Sequence, residues 1–196
     1  MPSSLNNGDK KEDINSKPEI PKEEPKAKTP TKDYISVSEL YELFKAYKDQ
    51  LDCILIIDVR DTPEFTQWKV KHSVTINISH DFIQWNSNLN SVERCLSKDT
   101  WEVFNKRFEK KFIIIIDDQF DDTQSPEVLA ASPALILQEI LCKCEAEFSV
   151  LVLKGGIQKW VLHYPSMTEN PDYNRIVSLN YNFLCVCVIA HIYSPY

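Results

Sequence analysis

Four carboxylates within six residues follow a run of five apolar side chains. Phe112-Ile113-Ile114-Ile115-Ile116 reads as a buried strand, and the chain continues Asp117-Asp118-Gln119-Phe120-Asp121-Asp122. A loop of this type can attract a basic protein surface, supply oxygens to a hard cation or offer an aspartyl nucleophile. Its spacing does not match an EF-hand loop, and an aspartyl nucleophile also needs a bound cation and a nearby Lys. Four carboxylates repel an anionic substrate, and none can act as a sulfur nucleophile. The expectation is a binding loop over residues 117–122 without metal or cofactor, the alternative being a solvated acidic loop.

Other candidate groups are sparser. Asp58 and Arg60 close a second apolar run, Cys53-Ile54-Leu55-Ile56-Ile57-Asp58-Val59, and His72 follows downstream. Arg60 as an anion clamp is one reading; an ion pair or turn bond is the other, and His72 reads as a packed, hydrogen-bonded side chain. The three glycines, Gly8, Gly155 and Gly156, cannot build a Gly-x-Gly-x-x-Gly turn or a Walker loop. Gly155-Gly156 predicts a tight turn with positive φ, and Trp160 after it reads as core. Trp68 and Trp85 lie in polar contexts and are candidate exposed anchors.

Six cysteines occur, Cys53, Cys95, Cys142, Cys144, Cys185 and Cys187, with two Cys-x-Cys pairs and no Cys-x-x-Cys. The four histidines stand in no ligand spacing with them. The amino terminus carries no apolar signal segment, so the expected location is cytoplasmic, with free thiols. A net charge of −7 over 196 residues argues against nucleic acid, whose phosphates demand a basic stripe.

Three regions position these groups. Residues 1–33 are rich in Lys, Glu and Pro and cannot bury enough surface to offset ordering entropy, so a disordered arm is expected. Residues 34–168 alternate strands and helices. A capping box at Ser36 and Glu39 opens a helix bearing Leu40, Leu43, Phe44 and Tyr47. Strands are expected at 53–59, 73–78, 112–116 and 148–153. A helix opens near Pro63, and another carries Trp101, Phe104 and Phe108 on one face. A further helix starts with Ser132 as N-cap and Pro133 in its first turn. Runs apolar on both faces imply strands covered by helices on both sides. The class is therefore α/β, with a central, mainly parallel sheet and ligands beyond its carboxyl ends. Residues 169–196 form a tail, uncharged from 176 to 193 if His191 is neutral. It is nearly long enough to span a membrane but is interrupted by Ser178, Asn180 and Asn182. A truncated or aberrantly spliced product is one reading of it.

Three segments in order resemble the rhodanese family. They are Ile56-Ile57-Asp58-Val59-Arg60 with Glu64-Phe65 and His72, the strand at 112–116, and Val152-Leu153-Lys154-Gly155-Gly156 with Trp160. The resemblance implies a three-layer rhodanese-like domain. Its enzymes carry a reactive thiolate where Asp117 stands, within a loop of backbone N–H groups continued by a helix N-terminus. Here Pro133 lies far along the chain from the strand end, so a compact cradle is not expected.

Ser97-Lys98-Asp99-Thr100-Trp101, the Asp after the third strand, and the stretch from Trp160 to Pro165 are similar to the rhodanese-like domain of an endosomal member of the ubiquitin-specific protease family. That resemblance implies a non-catalytic module of the ubiquitin pathway that docks a protein partner such as an E3 ubiquitin ligase, in the cytoplasm and on endosomes. The rival expectation is a thiosulfate sulfurtransferase or phosphatase-like enzyme, which needs a thiol at the rim.

Overall fold

The computed structural model describes residues 33–143 and 148–169. Its centre is a five-stranded sheet of β1 (Tyr34–Ile35), β2 (Ile54–Asp58), β4 (Thr75–Asn77), β5 (Phe112–Ile116) and β6 (Ser149–Leu153). The spatial order is β1-β6-β5-β2-β4, and every pairing in it is parallel. A small antiparallel pair, β3 (Lys69–Val70) and β7 (Thr168–Glu169), lies apart from it.

The three central strands divide their side chains cleanly between two cores. Leu55, Ile57, Ile113, Ile115, Val150 and Val152 face one side, with Val92, Phe104, Leu137 and Leu141 packed on them. Ile54, Ile56, Ile114, Ile116, Leu151 and Leu153 face the other, against Leu40, Phe44, Ile157 and Trp160. The first side is covered by α3 (Leu89–Cys95), α4 (Lys98–Asn105) and α6 (Pro133–Cys142), the second by α1 (Val37–Ala46) and α7 (Gly156–His163). The layers are thus helix, sheet, helix. Period-two side-chain alternation in strands buried on both faces explains why the sequence shows continuous apolar runs rather than alternation.

Local signals set the helix ends. Ser36 and Glu39 form the reciprocal capping box. Pro133 occupies the first turn of α6 behind Ser132. Helix α2 (Thr62–Gln67) carries Pro63 in its first turn, as expected. Phe108 departs from the expected helix face: α4 ends at Asn105, and a 3-10 turn at Lys106–Glu109 leaves Phe108 exposed. The stretch 117–131 holds a short helix, α5 (Pro126–Ala130), which the sequence pattern did not reveal. Among the described residues no helix is long and apolar enough to cross a membrane; residues 1–32, 144–147 and 170–196, including the arm and the apolar tail, lie outside them.

Candidate functional site

The parallel arrangement brings three strand ends to one rim. Asp58 closes β2, Asp117 follows β5, and Lys154-Gly155 follows β6. The backbone stitches them together: Val59 N–H donates to the Ile116 carbonyl at 2.8 Å.

Asp58 and Arg60 form a buried ion pair, each nearly inaccessible to water. Arg60 Nη2 donates to Asp58 Oδ2 at 2.7 Å and Nε to Oδ1 at 3.0 Å. Nη2 also donates to the Trp68 carbonyl, and the guanidinium lies 5.0 Å from the Trp68 ring centre. Burial pushes the Asp58 pKa up, and its bonds to Arg60 pull it back. Arg60 is therefore committed to holding the turn and α2, not presented to an anion. Trp68, expected as an exposed anchor, is buried under this guanidinium; Trp85 is the exposed one. His72 lies away from the rim, between β3 and β4. It accepts the Val74 N–H at Nδ1, stacks on Phe44, and its pKa is lowered by burial.

The acidic loop is built as a plug on the amino end of α7. That helix's first amides need acceptors, and the loop supplies backbone carbonyls. Ile157 N–H donates to Asp117 O at 2.9 Å, Gln158 N–H to Asp118 O at 3.1 Å, and Gly155 N–H to Phe120 O. Gly155 and Gly156 have φ of 82° and 54°. The glycine pair does more than turn the chain: a Cβ on Gly156 would stand 2.5 Å from Asp118 O and 2.6 Å from Asp117 O.

The six candidate loop residues do not form one open surface. Phe120, expected at a contact surface, is buried in the core against Tyr34 because its ring fills the space beside β1. Asp118 receives the Gln158 side-chain amide, and Asp122 pairs with Lys154. Gln119 and Asp121 are exposed. Asp121 accepts the backbone N–H and hydroxyl of Thr123, which lower its pKa.

Asp117 is the unusual group. Burial raises its pKa to about 7, against the Phe120 backbone N–H it accepts and with the Asp118 and Asp58 charges adding to the rise. Its Oδ1 is buried without a hydrogen-bond partner among the described residues, and so is Ser132 Oγ. Both residues line a pocket of about 530 Å³ with Gln119, Val128 and Pro133. This corrects the expectation that the helix start at Pro133 stays far from the strand end. The α5 turn folds the intervening residues back, so α6 begins beside Asp117.

A raised carboxyl pKa has a definite consequence for stability. The folded state holds the proton that the unfolded chain releases near pH 4, so stability falls as pH rises from about 4 to about 7 and is flat above that. Asp117→Asn removes the titration. The variant is expected to be more stable than the parent at pH 8 by about 4 kcal/mol and to match it near pH 4. Urea unfolding at both pH values measures this; equal differences at the two would contradict a buried, titrating Asp117.

Cys53 precedes β2 at the opposite end of the sheet, and burial raises its pKa. Cys95 ends α3 and Cys142 ends α6, both exposed. None of these three lies at the rim; Cys144, Cys185 and Cys187 are outside the described residues.

A parallel sheet sandwiched by helices, with three polar turns gathered at its carboxyl rim, defines an α/β domain that presents its site on strand-end loops. The family profile described as Rhodanese-like domain matches residues 36–163, and the chain belongs to that family. Solved structures to which the chain is similar include the BH2092 protein from Bacillus halodurans, 20% identical over 71% of this chain and 81% of that one, with a TM-score of 0.42. A rhodanese-related protein from Thermoplasma volcanium is 18% identical over 67% and 93%, with a TM-score of 0.35. A protein of unknown function from Rhodopseudomonas palustris, described as a possible tyrosine phosphatase, is 17% identical over 65% and 78%, with a TM-score of 0.39.

Proposed function

We propose that this domain is a non-catalytic rhodanese-like interaction module of the ubiquitin and deubiquitination pathway, acting in the cytoplasm and at endosomes. The observation that carries the non-catalytic reading is Asp117, a half-buried carboxyl with an elevated pKa at the position where a sulfur-transfer enzyme needs a thiolate. Two further features support it. Carbonyls of the loop take up the leading amides of α7, and Arg60 is consumed by Asp58. The pathway assignment rests on the likeness of residues 97–101, Asp117 and 160–165 to a domain of the ubiquitin-specific proteases, and it makes an E3 ubiquitin ligase the candidate partner.

Gln119 and Asp121 are the contact residues, because they are the exposed members of the loop; the others are buried or half-buried. They suit a partner face that carries Lys or Arg, with encounter steered by charge. Gln119→Lys with Asp121→Lys leaves the core and the Lys154 pair untouched. In a pull-down from cytosol, the double variant is expected to lose about tenfold or more of the captured ligase. Equal capture by variant and parent would remove this loop as the contact. A thiosulfate:cyanide assay of the same protein tests the rival: sulfur transfer abolished by a single Cys→Ser change would restore the enzyme reading.

A further inference from the structure

The pocket beside the acidic loop is bordered by two acceptors that nothing satisfies. It has a volume of about 530 Å³ and lies between the loop after β5, helix α5 and the first turn of α6. Asp117 Oδ1 and Ser132 Oγ are buried, and neither has a hydrogen-bond partner among the described residues. Both side chains are half-buried and line the pocket, so these atoms stand just behind its wall. Ser132 is the N-cap of α6, yet its hydroxyl makes no capping bond. Buried polar atoms are nearly always paired, and two orphans at one pocket imply a donor from outside.

The rest of the lining sets the charge of that donor. Glu127 is exposed there, and bonds from its own N–H and the Ser125 hydroxyl hold its carboxyl below the usual range. None of the described residues lining the pocket is Lys, Arg or His. The start of α6 contributes a positive partial charge of about half a unit, which two carboxylates exceed. An anion is therefore repelled and a cation attracted. Val128, Ala131 and Pro133 add aliphatic surface, which suits the methylene stem of a long basic side chain. Arginine fits better than lysine, because guanidinium is more weakly hydrated and carries several N–H donors in one plane.

Charged groups on the surrounding elements are already engaged. Asp58 pairs with Arg60 at the end of β2, Asp118 takes the Gln158 amide of α7, and Lys154 after β6 pairs with Asp122. On α6, Glu139 pairs with Lys143, and Lys159 of α7 acts on Asp121. Burial leaves Asp117 with a pKa of about 7, so near neutrality it is partly protonated, and a guanidinium beside it favours the ionised form.

We propose that this pocket receives an arginine side chain of the docking partner, with the guanidinium donating to Asp117 and Ser132 and the stem lying along Val128 and Pro133. Given the docking role of the loop, on which this assignment rests, Gln119 and Asp121 meet the partner's surface and the pocket holds its anchor.

Titration of N-acetyl-arginine amide into the isotope-labelled full chain, followed by NMR, tests this, with N-acetyl-citrulline amide as the uncharged isostere. The arginine probe is expected to shift Val128 and Ser132 saturably, and citrulline to bind about tenfold or more weakly. The cation binds the ionised carboxyl, so its dissociation constant is expected to fall about tenfold from pH 6 to pH 8. Asp117→Asn keeps the shape of the side chain and is expected to lose both that pH dependence and about tenfold or more of the affinity. Equal binding of the two probes, binding that weakens as pH rises, an Asn variant that matches the parent, or no shift at Ser132 each overturns the proposal, and none of them bears on the capture that tests Gln119 and Asp121. Equal ligase capture by the Gln119→Lys, Asp121→Lys variant, with arginine binding intact, removes the loop surface and leaves the pocket as the contact.

Discussion

Arg60→Ala is expected to lower the unfolding free energy by about 3–5 kcal/mol, because it strands the Asp58 carboxylate in a dry site. Asp58 is 1% exposed and Arg60 2% exposed, so water cannot replace the lost partner. The guanidinium also ties β2 to α2 through the Trp68 carbonyl and covers the Trp68 ring, so packing is lost along with charge. The informative comparison is the double replacement Asp58→Leu with Arg60→Met. Removing both charges together is expected to recover most of the loss, since no uncompensated ion remains. Urea denaturation of the parent, the single variant and the double variant measures it. A single variant within about 1 kcal/mol of the parent would mean that the pair behaves like a surface ion pair and does not organise the rim.

Gly156→Ala comes next in size. The residue has φ of 54°, a region that disfavours a side chain by roughly 1–2 kcal/mol. The new Cβ would also meet the carbonyl oxygens of Asp117 and Asp118 at 2.6 and 2.5 Å. These atoms are backbone, held by the Ile157 and Gln158 amides, so they cannot move aside without breaking both bonds. Overpacking of this kind adds about 1–3 kcal/mol. The sum corresponds to a drop in melting temperature of the order of 10 °C. Calorimetry checks it, and exchange of the Ile157 and Gln158 amides locates the damage: both are expected to speed up before the sheet does. A substitution that leaves the melting temperature unchanged would show that the loop does not rest on α7 as described.

The consequence for the rim is that its shape is set by structural bonds. The Asp58–Arg60 pair fixes one turn and the glycine contact fixes another, while the Asp122–Lys154 pair joins the loop to the end of β6. A rigid rim with Gln119 and Asp121 outermost is what the proposed docking role requires, since preorganised contacts lose less entropy on binding.

The sequence by itself determined the layered α/β class, the positions of β2, β5 and β6, the cap at Ser36, the start of α6 at Ser132-Pro133, and the positive φ at Gly155-Gly156. These are local matters: an apolar run flanked by helical periodicity, a hydroxyl before a helix, a glycine where a side chain would clash. Only the tertiary structure decided the rest. Phe120 stands among polar neighbours along the chain, so nothing local marked it as core; Tyr34, distant in sequence, receives it. Trp68 was placed by the Arg60 guanidinium, and Pro133 was brought to Asp117 by a five-residue helix too short to show a period. The two-residue strands β1, β3 and β7 have no periodicity at all and exist because their partners are already in place. The raised pKa of Asp117 likewise arises from what is packed around it, and no spacing of residues along the chain encodes that burial.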